Sequence, residues 1–330
     1  MIGSATRVTK RYSKRVYKFY DRKPVAVDLR EDVLVGLSLS QKRVSSKYLY
    51  DEGGSTLFEA ITELPEYYVT RTELALLETR RDEIATRVGP GVCLIEYGSG
   101  TSRKIRLLLE RLKPESYVPV DISRQPLETA ARLLSRDYPW LNVYPVCADY
   151  TSEFSLPSEI GPAPRVVFFP GSSIGNFEPE AAVGFLGRIA ALVGPGGRLL
   201  IGVDRKKDRA ILEAAYDDAA GVTAEFNRNM LKHLNATFDA DFDPTKFSHV
   251  ALYNETLGCI QMFLQSTVEQ SIRIAGTSIE FRAGERIHTE SSYKYDPGEF
   301  AVLAERAGLR RETWWTDERK RFAIFLFAAA

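Results

Sequence analysis

Residues 92–102 read VCLIEYGSGTS. Val92 to Tyr97 is an apolar run of the length of a buried strand, and Gly98-Ser99-Gly100 turns out of it. Arg103 to Leu112 follows as a helix, with apolar Ile105, Leu108, Leu109 and Leu112 at helical spacing. Strand, glycine turn and helix make the first half of a β-α unit, and the pattern repeats downstream. Tyr117 to Asp121 is a second strand, whose Pro119 suggests distortion or an edge position. A helix from Gln125 to Ser135 comes next. Val143 to Cys147 and Val166 to Phe169 are the third and fourth strands, and Ala181 to Leu192 is a helix. Arg198 to Asp204 is the fifth strand. Alternation of this kind predicts α/β architecture with a doubly wound, mostly parallel sheet. Ligands of such sheets sit beyond the carboxyl ends of the strands.

The pattern then breaks. Arg209 to Leu234 reads as one long helix, and an irregular stretch rich in Asp and Phe follows. Strands are expected over Gly258–Gln265, Val268–Ile274 and Ser278–Phe281, and a last one over Phe322–Phe327. This is a sheet interrupted by an insertion and completed at the C-terminus. Residues 20–70 lack the β-α pattern and are expected to join the insertion in a second lobe.

The 330 residues carry 44 basic and 44 acidic side chains, a formal charge of zero. That balance gives no general attraction to nucleic acid or to an anionic membrane. The local exception is the N-terminus, where Arg7, Lys10, Arg11, Lys14, Arg15, Lys18, Arg22 and Lys23 cluster; this reads as a solvated tail. Cys93, Cys147 and Cys259 are far apart and odd in number, with no CxxC, which argues against a disulfide framework or a zinc site. His233, His249 and His288 lack metal-ligand spacing. No run approaches the roughly 20 apolar residues that span a bilayer. A cytoplasmic setting is expected.

The strand ends carry the chemistry. Gly98 and Gly100 allow close approach of a ligand, but a dinucleotide fingerprint needs a third glycine where Arg103 stands. Asp121, about 20 residues on, is placed to hold a ribose hydroxyl pair. Asp149 ends the third strand near where a base would lie. A glycine loop without a phosphate cradle, a ribose acid and a further acid suit S-adenosylmethionine, which has no phosphate, better than NAD. Lys104 opens the helix beside the loop and can serve the cofactor's carboxylate. The fourth strand ends in FPGSSIGNFEP, residues 169–179. Gly171 and Asn176 there lie where a methyl acceptor would meet the sulfonium.

From about residue 30 onward the chain resembles the histidine Nα-methyltransferases of ergothioneine biosynthesis. The resemblance is carried by Tyr50-Asp51 through Phe58, Leu64-Pro65-Glu66-Tyr67 through Glu73, Tyr97 through Ser102 and Gly171 through Asn176. Tyr216 through Thr223, Phe226-Asn227-Arg228-Asn229 and Thr289-Glu290-Ser291-Ser292 complete it, in the same order. It implies a Rossmann-like class I methyltransferase sheet with a second α+β lobe formed by the N-terminal segment and the insertion. Residues 71–205 plus 294–330 would form the methyltransferase domain, 19–70 plus 206–293 the substrate-binding lobe, and 1–18 a basic extension. The implied reaction is three methyl transfers to the α-amino group of L-histidine, giving hercynine, the first step of ergothioneine biosynthesis. The implied partners are S-adenosylmethionine and histidine, with no nucleic acid or membrane, and the protein is expected to act as a monomer.

The resemblance also assigns residues. Tyr67, Asn176 and Tyr216 match positions that hold the substrate's amino and carboxylate groups. Glu290 and Ser292 match the imidazole-reading pair, with Thr223 nearby. Tyr50 and Phe58 match residues closing the pocket, Met262 one lining it around the ring. Gly98, Lys104, Asp121 and Asp149 match cofactor-binding positions. Asn176 can accept from a neutral amine without favouring the ammonium, and Tyr50 can assist by hydrogen bonding, so these two are the catalytic candidates. Small Gly171 leaves room for added methyls. A buried Glu290 accepts imidazole N–H strongly, which argues for histidine. The alternative is a relative methylating another amino acid such as tryptophan or tyrosine, for which the acid would be superfluous.

Overall fold

The computed structural model describes residues 16–22 and 29–330; most of the basic extension expected over 1–18 lies outside them. The chain opens with β1 (Tyr20–Asp21), α1 (Leu29–Ser38), β2 (Lys42–Arg43), α2 (Glu52–Thr62) and α3 (Tyr68–Val88). The β-α series follows: β3 (Cys93–Tyr97), α4 (Arg103–Leu112), β4 (Ser116–Asp121), α5 (Arg124–Asp137), β5 (Asn142–Val143) and β6 (Val146–Cys147). It ends with β7 (Arg165–Phe169), α6 (Pro179–Val193) and β8 (Arg198–Asp204). The insertion holds α7 (Arg209–Ala214), α8 (Val222–Phe238) and five strands: β9 (Phe247–Asn254), β10 (Cys259–Ser266), β11 (Gln270–Ile274), β12 (Thr277–Phe281) and β13 (Arg286–Tyr293). Last come α9 (Pro297–Arg306), β14 (Leu309–Thr316) and β15 (Phe322–Ala329).

The large sheet runs β1-β6-β4-β3-β7-β8-β15-β14, with β5 also beside β4. All neighbours are parallel except along β15, which is antiparallel to both β8 and β14. This is the interrupted sheet read from the sequence. All five residues of β3 are buried, as expected of a parallel strand covered on both faces. The predicted stripe of α4, Ile105, Leu108, Leu109 and Leu112, is buried in one core cluster with Leu94 of β3 and with α3. A second sheet, β2-β13-β10-β9, joins the N-terminal segment to the insertion, and β11 and β12 form a separate hairpin.

Four expectations need correction. Pro119 is neither at an edge nor distorting: β4 lies inside the sheet, and the side on which proline lacks an N–H faces the gap between β5 and β6. The single strand expected over Val143–Cys147 is two short ones, interrupted at Tyr144-Pro145. The long helix expected from Arg209 is two, because the Asp218 carboxylate accepts the N–H groups of Val222 and Thr223 at 2.9 and 2.7 Å and starts α8 afresh. Residues 20–21, expected in the substrate lobe, pair with β6 in the large sheet. The Trp314-Trp315 pair is packing: Trp315 is buried and Trp314 stacks on Phe325.

Gly202 on β8 makes room for a buried acid from α3. A Cβ there would overlap the Glu73 carboxylate and come within 2.9 Å of the Phe322 ring. Gly202→Ala is therefore expected to destabilise the fold by about 1–3 kcal/mol, the usual range for overpacking. Urea denaturation checks this; an unchanged midpoint would contradict the packing described.

Candidate active site

The cavity is built at the carboxyl end of β7. Gly171 adopts φ 81°, and its N–H is donated to both Glu73 oxygens, at 3.0 and 2.9 Å. Ser173–Asn176 then form one turn of 3-10 helix that lies against β13. Gly175 permits that approach: a Cβ would come within 2.7 Å of the Tyr293 carbonyl oxygen. The small residues of FPGSSIGNFEP thus seat the turn on the second sheet. The result is that Asn176 Nδ2 donates to Glu290 Oε2 at 3.3 Å.

Glu290 and Ser292 alternate along β13 and so face the same side. Met262 of β10 is the register partner of Glu290. Tyr216 is delivered from the break between α7 and α8, and its hydroxyl lies 2.8 Å from Ser292 Oγ. Aromatic rings close the remaining sides. Tyr50 meets Phe58 and Phe226 edge-on with centroids at 5.7 and 5.5 Å, and Tyr67 bridges Phe58 and Tyr216 at 6.2 and 6.3 Å. All ten residues expected at the substrate, Tyr50, Phe58, Tyr67, Gly171, Asn176, Tyr216, Thr223, Met262, Glu290 and Ser292, line this one cavity. Thr223 is buried in this wall, and its N–H is held by Asp218 at 2.7 Å.

Burial sets the protonation states. It pushes the Glu290 carboxyl up to about 7, against the opposing pull of nearby Lys294. Burial likewise raises the Tyr50 and Tyr67 phenols well above their ordinary value, so both are neutral donors.

The cofactor candidates gather at the ends of β3, β4 and β6. Gly98 has φ 66°, which an L side chain rarely adopts, and a Cβ at Gly100 would meet nothing within 4 Å, leaving the loop's face clear. Asp121 fixes this loop, accepting from Gly100 N–H and Ser123 N–H at 2.9 Å each, one oxygen apiece. Each oxygen has a further lone pair for a hydroxyl. Asp149 Oδ1 accepts the Thr151 N–H at 2.9 Å. Lys104, expected at a carboxylate of the cofactor, is ion-paired with Glu73 at 2.7 Å and keeps 19% of its side chain exposed. A clear glycine loop with two acids beside it, and no phosphate cradle, fits S-adenosylmethionine.

The sequence reading missed Glu73, Phe226 and Lys294. Glu73 and Phe226 lie inside segments that carry the family resemblance, so position within a motif was a usable signal. Lys294 gave none. Among the described residues no helix is long and apolar enough to cross a membrane.

A mostly parallel Rossmann-like sheet with this strand-end arrangement, beside a cavity suited to an acceptor, has the features of an S-adenosylmethionine-dependent methyltransferase. The chain belongs to the family of histidine-specific, S-adenosylmethionine-dependent methyltransferases, whose model matches residues 29–329. It is 41% identical over 304 residues to the histidine N-alpha-methyltransferase of Mycolicibacterium smegmatis, covering 90% of this chain and 94% of the relative. With the histidine N-alpha-methyltransferase of Mycobacterium tuberculosis it shares 40% identity over 307 residues, covering 91% and 94%. It is also 34% identical over 289 residues to ergothioneine biosynthesis protein 1 of Neurospora crassa, covering 83% of this chain and 32% of that protein.

Proposed function

We propose that the protein methylates the α-amino group of L-histidine three times, yielding hercynine as the first step of ergothioneine biosynthesis, and that the cavity described above is where it does so. The observation that carries the reading is the meeting of Asn176, at the end of a cofactor-side strand, with Glu290 and Ser292 of the second sheet. The methyltransferase domain would comprise 71–205 and 294–330, and the substrate lobe 29–70 and 206–293, since β2 and β13 pair. Cys93, Cys147 and Cys259 are all buried, which suits a reducing cytoplasm.

Gly98, Asp121 and Asp149 would hold S-adenosylmethionine, with Lys104 at its carboxylate. When bound, that group supplies an electrophilic methyl on a sulfonium sulfur. The protein's part is positioning and exclusion of water. The Asn176 amide oxygen accepts from the substrate amine and aims its lone pair, and carries no charge that would favour the ammonium. The Tyr50 phenol, neutral in its buried site, donates a hydrogen bond and can relay the displaced proton. Tyr67 and Tyr216 hold the substrate's polar head, and Glu290 accepts from the imidazole N–H. Absence of a side chain at Gly171 leaves space for the growing number of methyls. Incubation with histidine and S-adenosylmethionine, followed by mass spectrometry, tests the reading: histidine carrying three methyl groups is expected, and unmodified histidine would refute it.

The Glu290 carboxyl gives a pH prediction. Its value of about 7 in the free site means that the accepting, ionised form is lost below that pH. The substrate's own groups titrate nearby, so the useful quantity is a ratio. The kcat/KM of wild type divided by that of Glu290→Gln is expected to rise from pH 6 to 8 and then level, since the substrate's titrations cancel. A ratio independent of pH would contradict an ionised acceptor at this position.

A further inference from the structure

We propose that Lys294 is a positioning residue: its ammonium presents the Tyr216 and Ser292 hydroxyls as donors to the carboxylate of a zwitterionic amino acid. The inference rests on the reading of the cavity as a histidine site, and it moves Ser292, expected at the imidazole, to the carboxylate, because Ser292 Oγ lies 2.8 Å from Tyr216 OH. Lys294 directly follows β13, and its side chain is completely buried. Its Nζ donates to Tyr216 OH at 2.8 Å and to Ser292 Oγ at 2.9 Å, and lies 2.9 Å from Asp204 Oδ2.

An ammonium has three N–H groups and accepts nothing. All three are therefore committed, and both hydroxyls receive from the same cation. The hydroxyls are themselves 2.8 Å apart, so one hydroxyl proton closes the triangle. The other cannot turn back toward the ammonium and is left to point into the cavity. Charge reinforces this geometry. Asp204 is shared: Lys207 lies 2.6 Å from Oδ1, and Tyr68 donates to Oδ2 at 2.8 Å. Within this group one carboxylate faces two buried ammonium groups, so its charge behind the hydroxyls is positive, while Glu290 lies on the cavity side. Burying an ammonium costs several kcal/mol unless it is well paired, and Asp204 with the two hydroxyls supplies that pairing. A donor hydroxyl backed by a cation is complementary to a carboxylate.

The test measures Kd for histidine by calorimetry in the presence of S-adenosylhomocysteine, together with turnover. Lys294→Met keeps the length of the side chain and removes its charge and donors. It is expected to raise the histidine Kd and KM by about 10- to 100-fold, as for loss of a charge-assisted hydrogen bond, with kcat and S-adenosylhomocysteine affinity within about 3-fold of wild type. In a Tyr216→Phe/Ser292→Ala background the same substitution should cost about 3-fold or less, since both hydroxyls it presents are gone. Equal cost in both backgrounds, or no cost in either, would overturn the proposal. If Lys294→Met does not fold, shown by lost S-adenosylhomocysteine binding, then Tyr216→Phe, Ser292→Ala and their double variant replace it. Either hydroxyl can use the free proton alone, so the double variant should lose more than the product of the single losses. A simple product would overturn the coupling. Wild-type protein that neither binds nor methylates histidine would instead overturn the functional reading on which the inference rests.

Discussion

Asn176→Ala is expected to lower kcat for histidine by about 100-fold or more, the penalty for misplacing a reacting group by about an ångström. The amide sits at the end of β7 on a turn wedged against β13, so its place is set by backbone packing rather than by the ligand. Removing it takes away the acceptor that aims the amine, and it also frees Glu290 of the 3.3 Å hydrogen bond that links strand end to second sheet. Asn176→Asp is the sharper companion. A carboxylate at this point stabilises the protonated ammonium, which cannot attack, so kcat should fall at neutral pH and recover partly as pH rises. Steady-state kinetics across pH separates the two variants. An alanine variant with wild-type kcat would show that the amine is aimed by some other group.

Glu290→Ala is expected to lower kcat/KM for histidine by about 100-fold, near the upper value for a hydrogen bond to a charged group. The loss should fall mainly on KM, because the imidazole is remote from the transferring methyl and is bound alike before and during transfer. Glu290→Gln keeps the shape and an acceptor oxygen but not the charge, and should lie between. Competition assays against other amino acids add a second readout. Discrimination against tryptophan and tyrosine should relax in the alanine variant, since a site that no longer reads an N–H loses its basis for rejecting rings that present none there. Unchanged affinity and discrimination would place the imidazole elsewhere in the cavity.

Much of the fold could be read from local pattern. The stripe on α4 and the fully buried β3 depend only on nearby residues, and both lie where the local pattern put them. The break between α7 and α8 was hidden because the helical run is restarted by one side chain, Asp218, which accepts the first backbone amides of α8. Pro119 misled for the opposite reason: its meaning depends on where β5 stops and β6 begins, which is a property of the neighbour and not of the strand itself. In the cavity, Glu290 on its own looks like any acid in an alternating strand. Its significance came from company, the family order of Asn176, Tyr216 and Ser292 around it. Lys294 had no such company in sequence. Its partners Tyr216 and Asp204 are 78 and 90 residues away, and only the fold brings the three together.

The most direct measurement is one incubation with S-adenosylmethionine and an equimolar mixture of the 20 common amino acids, read by mass spectrometry. Histidine alone should gain methyl groups, and should accumulate with three. Methylation of a different amino acid, or of none while S-adenosylmethionine is still bound, would contradict histidine as the substrate.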